Sequence, residues 1–266
     1  MQTSTVFRDG LLEGRTALVT GGGTNLGRHA ALELAACGAR VVIAGRTEET
    51  LAAAASEIGC EYVVGDIRSP ESAAAIAAAA GSSLDLLVNN AGGQYFVPAE
   101  SITAKGWAAV MRLNVEGTMA MTEAALPALR AARGMVVNIT VSPHHGMPAM
   151  AHTGAARAAV EALTLSLSAR EPEVAFVAAA IGRFDTESLR KYPEIVLRGA
   201  ARSVPLQRLG RMEEFGWLIA MLASPAGRAL DGSVVTLDGG ADNWTGPWPP
   251  TAMVDDEGAV PTEERR

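Results

Sequence analysis

Short runs of β-branched and aliphatic residues alternate along the chain with longer Ala-rich stretches. The apolar runs predict strands over 16–20, 41–44, 61–64, 84–88, 135–140, 174–179 and 234–237. The Ala-rich stretches predict helices over 26–37, 48–57, 70–80, 107–130, 155–170 and 212–222. Within the strand runs the apolar residues are consecutive rather than alternating, as happens when helices cover both faces of a parallel sheet. Repeated strand–helix units predict the α/β class: one Rossmann-like, doubly wound parallel sheet of about seven strands, flanked by helices.

No internal repeat and no break in composition divides the chain, so residues 1–250 are expected to form one domain. Past Gly239-Gly240 the sequence carries Trp244, Pro247, Trp248, Pro249 and Pro250 and then turns acidic. Residues 251–266 are expected to form a tail that is disordered or drapes over a neighbour.

A chain of 266 residues that is 48% hydrophobic can bury one large core. Its net charge of −7 and pI near 5.2, with no dense run of Lys or Arg, exclude nucleic acid and anionic membrane surfaces as main partners. No apolar run approaches the roughly 18–20 residues that span a bilayer. The first residues, Met1 to Asp9, offer neither a basic nor an apolar signal region. Cys37 and Cys60 make neither a disulfide framework nor a zinc spacing and read as small buried side chains. A cytoplasmic protein is expected.

Candidate chemistry lies at the strand-to-helix junctions. Thr20-Gly21-Gly22-Gly23-Thr24-Asn25-Leu26-Gly27 leaves the first strand and opens the first helix. There glycine allows close backbone approach and the helix N-terminus favours a phosphate. Such turns also arise from backbone geometry alone. Asn25 stands where a glycine is expected, and Asn tolerates positive φ better than other residues with a side chain. The second strand ends in Ala44-Gly45-Arg46. With no acidic residue to take a ribose 2′-hydroxyl and a guanidinium placed for a 2′-phosphate, NADPH is favoured over NADH. The alternative is a solvated arginine opening a helix. Asp66, followed by Ile67, is positioned to accept from an adenine amino group, and Asn89-Asn90-Ala91-Gly92 brings a further turn to the same edge of the sheet.

Taken together these residues resemble the short-chain dehydrogenase/reductase family, over essentially Gly14 to Gly240. Asn114 within Leu113-Asn114-Val115 and the closing Leu237-Asp238-Gly239-Gly240 complete the match. Within the family, the chain is most similar to peroxisomal-type trans-2-enoyl-CoA reductases and dienoyl-CoA reductases. Val6-Phe7-Arg8-Asp9-Gly10-Leu11-Leu12, Gly92-Gly93-Gln94-Tyr95, Pro98-Ala99-Glu100, Lys105-Gly106-Trp107 and His152-Thr153-Gly154-Ala155-Ala156-Arg157 carry that likeness. The resemblance implies an NADP-binding set of Gly21, Thr24, Asn25, Leu26, Gly27, Arg46, Asp66, Ile67, Asn90, Ala91, Gly92 and Arg157. It further implies a homo-oligomer, a dimer or tetramer, built on helices 107–130 and 155–170, with 244–250 near a subunit boundary. Their apolar faces could equally be ordinary core.

The family's proton-delivering Tyr-x-x-x-Lys pair is missing. The three tyrosines are Tyr62, Tyr95 and Tyr192, the two lysines Lys105 and Lys191, and none has that spacing. Carried over residue by residue, the asparagine is Asn114, the serine region is Thr140-Val141-Ser142, the tyrosine position falls on Thr153 and the lysine position on Arg157. Arg157 can hold ribose hydroxyls but does not relay protons, and Thr153 is a poor general acid. Ile181-Gly182 replaces the usual Pro-Gly after the sixth strand, and Val177 a frequent asparagine. His144, His145 and His152 crowd this region, either as a proton donor, His152 among the candidates, or as loop residues bonding to backbone; no metal spacing is present.

Reduction of a conjugated acyl thioester asks for stabilisation of an enolate oxygen rather than for a phenolic acid. The leading expectation is therefore an NADPH-dependent reductase of an enoyl-CoA-like thioester or related enone, with Asn114, Ser142, His152, Thr153 and Arg157 around the reacting atoms. The segment 183–204 is expected to be a substrate lid, with Arg183, Arg190 or Lys191 available to an acidic carrier or solvated. The competing expectations are a ketoreductase with a substituted proton donor, and a scaffold turned to isomerase, dehydratase, cyclase or interaction duty.

Overall fold

All seven predicted strands form, and they join in one parallel sheet with the order β3-β2-β1-β4-β5-β6-β7. They run β1 Thr16–Thr20, β2 Arg40–Gly45, β3 Glu61–Val64, β4 Leu86–Asn89, β5 Met135–Val141, β6 Ala175–Ile181 and β7 Ser233–Leu237. The structure is a computed structural model and describes residues 3–142, 144, 147, 149–190 and 194–243. His145, Lys191, Tyr192, the segment 244–250 and the acidic tail 251–266 lie outside the described residues.

Helices cover both faces, which is why the strand runs are continuously apolar. On one side α1 (Asn25–Ala36), α2 (Glu48–Ile58) and α9 (Met212–Ala223) bury Leu34, Leu51 and Phe215 against Ala17, Val19 and Ile43. On the other, α3 (Pro70–Ala79) and α5 (Gly117–Ala132) bury Ile76, Met121 and Leu129 against Leu18, Val42 and Leu87. The helix α6 (Ala151–Arg170) packs on β5 and β6. Neighbouring residues of one strand thus serve opposite cores, and one polar residue in the middle would face apolar packing whichever side it chose.

The predicted helix over 107–130 is instead three pieces: α4 (Ala104–Met111), a π-helical turn Arg112–Glu116, and α5. Asn114 causes the break. It is fully buried, and its side-chain amide bonds Val110 O at 2.8 Å and Gly93 O at 2.9 Å while its Oδ1 takes Gly93 N–H at 3.2 Å. Those bonds need the wider turn. Pro127 inside α5 does not end it: the buried row Met121, Ala125 and Leu129 outweighs the missing backbone bond. Helix α6 starts four residues earlier than periodicity predicts, so His152 and Thr153 are helical rather than loop residues. The segment expected as a lid holds two short helices, α7 (Glu187–Arg190) and α8 (Glu194–Arg202).

Candidate functional site

In the strand order, β1 lies between β2 and β4, and the chain leaves β1 on one side and β4 on the other. The connections diverge there and leave a crevice at the carboxyl ends of the strands. A cleft of about 370 Å³ occupies that crevice. Gly21, Thr24, Asn25, Leu26, Gly27, Arg46, Asp66, Ile67, Asn90, Ala91 and Gly92 all line it, together with Gly23, Ala44, Gly45, Thr47, Thr50, Leu51, Gly65, Leu113 and Thr186. Of the second group, Gly23, Ala44 and Gly45 belong to the turns already read from the sequence, whereas Thr186 is brought in by folding from after β6.

The floor is built by close approach. Gly21 takes φ +66, and a Cβ on Gly27 would overlap Gly21 O and lie 2.5 Å from Asn90 Nδ2. Asn90 ties the two turns together: its amide donates to Thr20 O at 2.9 Å, and the backbone N–H groups of Asn90 and Ala91 both donate to Thr20 Oγ1 at 3.1 Å. Asn25 adopts φ +44, and its Oδ1 accepts Glu187 N–H at 3.3 Å, so its side chain turns to the segment beyond β6.

The donor set suits a phosphodiester. Thr24, the N-cap of α1, makes no capping bond, and neither does Thr47 at the start of α2, so the first N–H groups of both helices lack intrahelical partners. Arg46 is exposed and enters no ion pair among the described residues. Asp66 is gripped by Arg68, whose Nε lies 2.9 Å from Oδ1 and whose backbone N–H lies 3.0 Å from it. The Arg68 hydrogen bonds, with a smaller contribution from the charge of Arg46, bring the Asp66 carboxyl down to about 2. An adenine amino group would therefore share Asp66 with Arg68, a partner that the sequence reading missed although it stands only two residues away.

None of the five residues expected around the reacting atoms lines the cleft, and of these Asn114 and Arg157 abut Gly92. Arg157, expected to touch the ribose, packs against Gly92: its Nη2 occupies the space a Gly92 Cβ would need, and its Nη1 donates to Ile139 O at 2.6 Å. Arg157 is 9% exposed, and burial lowers its pKa to about 10, so it remains a cation at neutral pH. No ion pair among the described residues includes it. The guanidinium is longer than an ammonium and reaches the strand carbonyl of Ile139.

Ser142 is buried, and its hydroxyl donates to the Asp238 carboxylate. Asp238 also accepts Gly240 N–H at 2.8 Å and Asp242 N–H at 2.7 Å. The backbone N–H of Ser142 donates to Ile181 O at 2.9 Å, and Gly182 packs against Asp238. Nearby His144 bridges two carboxylates, Asp242 through Nδ1 (2.5 Å) and Glu161 through Nε2 (3.1 Å), and Glu161 also accepts from Thr140 Oγ1 at 2.7 Å. Desolvation works against the charged imidazole, but the Asp242 hydrogen bond and the charges of Glu161 and Asp242 outweigh it and raise the His144 pKa above 6.5. Glu161 was findable, since it lies four residues after Arg157 on α6; the pairing of Ser142 with Asp238 across 96 positions was not. His152 is buried without exposure, edge-on to the Tyr95 ring at 4.4 Å, and neither its ring nitrogens nor Thr153 Oγ1 has a partner among the described residues. No cluster of metal-ligating side chains occurs among the described residues, nor a helix long and apolar enough to cross a membrane.

A family model described as enoyl-(acyl carrier protein) reductase matches residues 22–242. The rhamnolipids biosynthesis 3-oxoacyl-[acyl-carrier-protein] reductase of Pseudomonas aeruginosa is 34% identical over 249 residues, covering 86% of this chain and 96% of its own length. A probable 2,4-dienoyl-CoA reductase of Bacillus subtilis is 31% identical over 258 residues, covering 90% of this chain and 100% of its own. Among solved structures, the Pseudomonas aeruginosa RhlG/NADP active-site complex superposes with a TM-score of 0.83 at 32% identity, over 89% of this chain and 100% of that one.

Proposed function

The chain belongs to the short-chain dehydrogenase/reductase family of oxidoreductases, and from that premise we propose that it is an NADPH-dependent reductase of an α,β-unsaturated acyl thioester. Bound NADPH would supply a hydride. The turn after β1, with the uncapped start of α1, would hold its pyrophosphate. Arg46 and the start of α2 would take the 2′-phosphate, and Asp66, shared with Arg68, the adenine edge. A relative solved with NADP supports this choice of nucleotide.

The observation that carries the choice of substrate is the commitment of Ser142 to Asp238. A ketone reductase needs a hydroxyl that donates to the carbonyl and an acid that protonates the alkoxide. Here the serine proton already belongs to a carboxylate, Asn114 has spent both amide hydrogens on Val110 O and Gly93 O, and residue 153 is threonine. What remains are donors and a fixed positive charge near Gly92, a set suited to holding negative charge on an oxygen while carbon is protonated. The dienoyl-CoA reductase relative fits this reading; the 3-oxoacyl reductase relative supports the ketone alternative.

Exposed Trp107 on α4 and Leu165 on α6 support a homo-oligomer, dimer or tetramer, formed through these helices. The test of function is a pair of assays on one protein sample: fluorescence titration with NADPH and NADH, then NADPH oxidation with trans-2-octenoyl-CoA against 3-oxooctanoyl-CoA. Turnover of the enoyl substrate alone is expected. Turnover of the 3-oxo substrate alone would replace this reading by the ketoreductase, and failure to bind either nucleotide would end both.

A further inference from the structure

Among the described residues that line the cleft, two carry a charge, Arg46 and Asp66, and their signs are opposite. Sheet geometry puts them together. β2 and β3 pair in parallel with Gly45 opposite Val64, and Gly65 N–H donates to Gly45 O at 2.8 Å. Arg46 and Asp66 therefore leave neighbouring chain segments at the same edge of the sheet. The charge of Arg46 contributes, after the larger effect of Arg68, to lowering the Asp66 carboxyl to about 2. A phosphate brought to Arg46 thus enters the field of Asp66 as well. An uncompensated carboxylate in that wall would repel a 2′-phosphate far more than a ribose hydroxyl.

Arg68 is not among the residues that line the cleft, yet it meets Asp66 as a fork. Its Nε lies 2.9 Å from Oδ1 and 3.0 Å from Oδ2, its Nη2 donates to Oδ2, and its backbone N–H donates to Oδ1 at 3.0 Å. The turn that sets this geometry is tied to α3. Asp66 N–H donates to Ser72 Oγ at 2.8 Å, Ser69 N–H to Asp66 O at 3.0 Å, and a Cβ on Gly65 would lie 2.5 Å from Ser72 Oγ. The pair is part-exposed, 36% for Arg68 and 32% for Asp66, a setting in which an ion pair adds little to stability. Its lasting effect is on charge. A carboxylate offers about four lone-pair sites, and three N–H donors of Arg68 occupy three of them, which leaves one for an adenine amino group.

We propose that Arg68 is a specificity-determining residue that acts through Asp66: it neutralises the carboxylate in the cleft wall, so that the phosphate held by Arg46 meets no opposing charge. This rests on the NADPH reading and deepens it. Arg46 attracts the 2′-phosphate, Arg68 removes what would repel it, and Asp66 keeps its acceptor for the adenine edge that both nucleotides share. Selection for NADPH is then divided between a cation in the cleft and a second cation outside it.

The test is nicotinamide fluorescence titration of NADPH and NADH against four full-length proteins: wild type, Arg68→Met, Asp66→Asn and the Asp66→Asn/Arg68→Met double variant. The quantity read is the ratio of the NADH to the NADPH dissociation constant. In Arg68→Met it should fall about tenfold, through NADPH, as a carboxylate charge returns beside a dianionic phosphate across a part-exposed wall. In Asp66→Asn, where the Arg68 charge is left over, the ratio should rise. In the double variant it should return to within about threefold of wild type, a non-additivity that marks one residue acting through the other. A purely structural role for Arg68 would weaken both nucleotides together, and an unchanged ratio in Arg68→Met would overturn the proposal. An equal fall in the single and double variants would also overturn it, by placing Arg68 on the phosphate itself. Wild type that binds NADH alone, or neither nucleotide, would sink the NADPH reading; NADPH-selective wild type with an unaltered Arg68→Met ratio would sink this inference alone. Should Arg68→Met fail to fold by circular dichroism, Arg68→Gln serves, with the same outcomes.

Discussion

Replacing Arg46 by alanine offers a direct trial of the cofactor assignment. The guanidinium lines the cleft, is exposed, and pairs with no carboxylate among the described residues, so its removal orphans no protein group and leaves the fold intact. The other local charges largely cancel, because Asp66 and Arg68 neutralise each other. A phosphate carrying nearly two charges at about 4 Å gains about 2 kcal/mol from one cation in a water-like medium. A charge-assisted hydrogen bond is worth a similar amount. Because the site is open, about 2 kcal/mol in total is the reasonable figure, or roughly a 30-fold loss of NADPH affinity. NADH has no 2′-phosphate and should bind Arg46→Ala as it binds wild type. The assay is nicotinamide fluorescence titration of both nucleotides at low and physiological salt. The gap between wild type and variant should narrow as the Debye length falls from about 30 to about 8 Å. An equal loss for NADPH and NADH, or a salt-independent loss, would refute the assignment of Arg46 to the 2′-phosphate.

Gly92→Ala should destabilise the protein by about 1–3 kcal/mol in urea titration, since the new methyl would meet the Arg157 guanidinium and approach Asn114 Oδ1 to 2.8 Å; an unchanged midpoint would contradict that packing. Asn138→Ala should cost about 2–4 kcal/mol, by opening a cavity and stripping a partner from buried Asn89 (2.9 Å) and Thr164 (2.9 Å), read as a lower thermal midpoint. The raised pKa of His144 fixes a sign: its clamp on Asp242 and Glu161 contributes fully below about 6.5 and is lost as pH rises through the higher folded value. Wild type should therefore exceed His144→Gln in stability at acidic pH and match it at alkaline pH; a gap that widens with pH would rule the clamp out. The low Asp66 pKa, about 2, acts in the opposite sense: its contribution is present above the ordinary carboxylate value and fades only as pH falls toward 2, so Asp66→Asn should alter the acid limb of the stability profile and leave the alkaline limb alone.

Periodicity alone laid out the sheet, because each strand and each covering helix writes its burial into consecutive residues. The turn from Thr20 to Gly27 was legible for the same reason: close backbone approach, helix initiation and an anion-facing N-terminus are all local demands, met within eight neighbouring positions. Arg46, Asp66 and Asn90 followed as the residues that end successive strands, and the parallel order brings those ends to one edge of the sheet. The reacting end is another matter. That the Ser142 hydroxyl donates to Asp238, that Asn114 breaks a helix to hold Gly93, and that Thr186 joins the cleft wall depend on contacts between residues far apart in sequence. Arg157 was visible as a substitution, but only packing decided that its guanidinium sits against Gly92 and donates to Ile139 O. Helical and strand periods report which side of an element is buried. They carry no record of which distant group a buried polar atom will meet, and that pairing is settled only when the layers close.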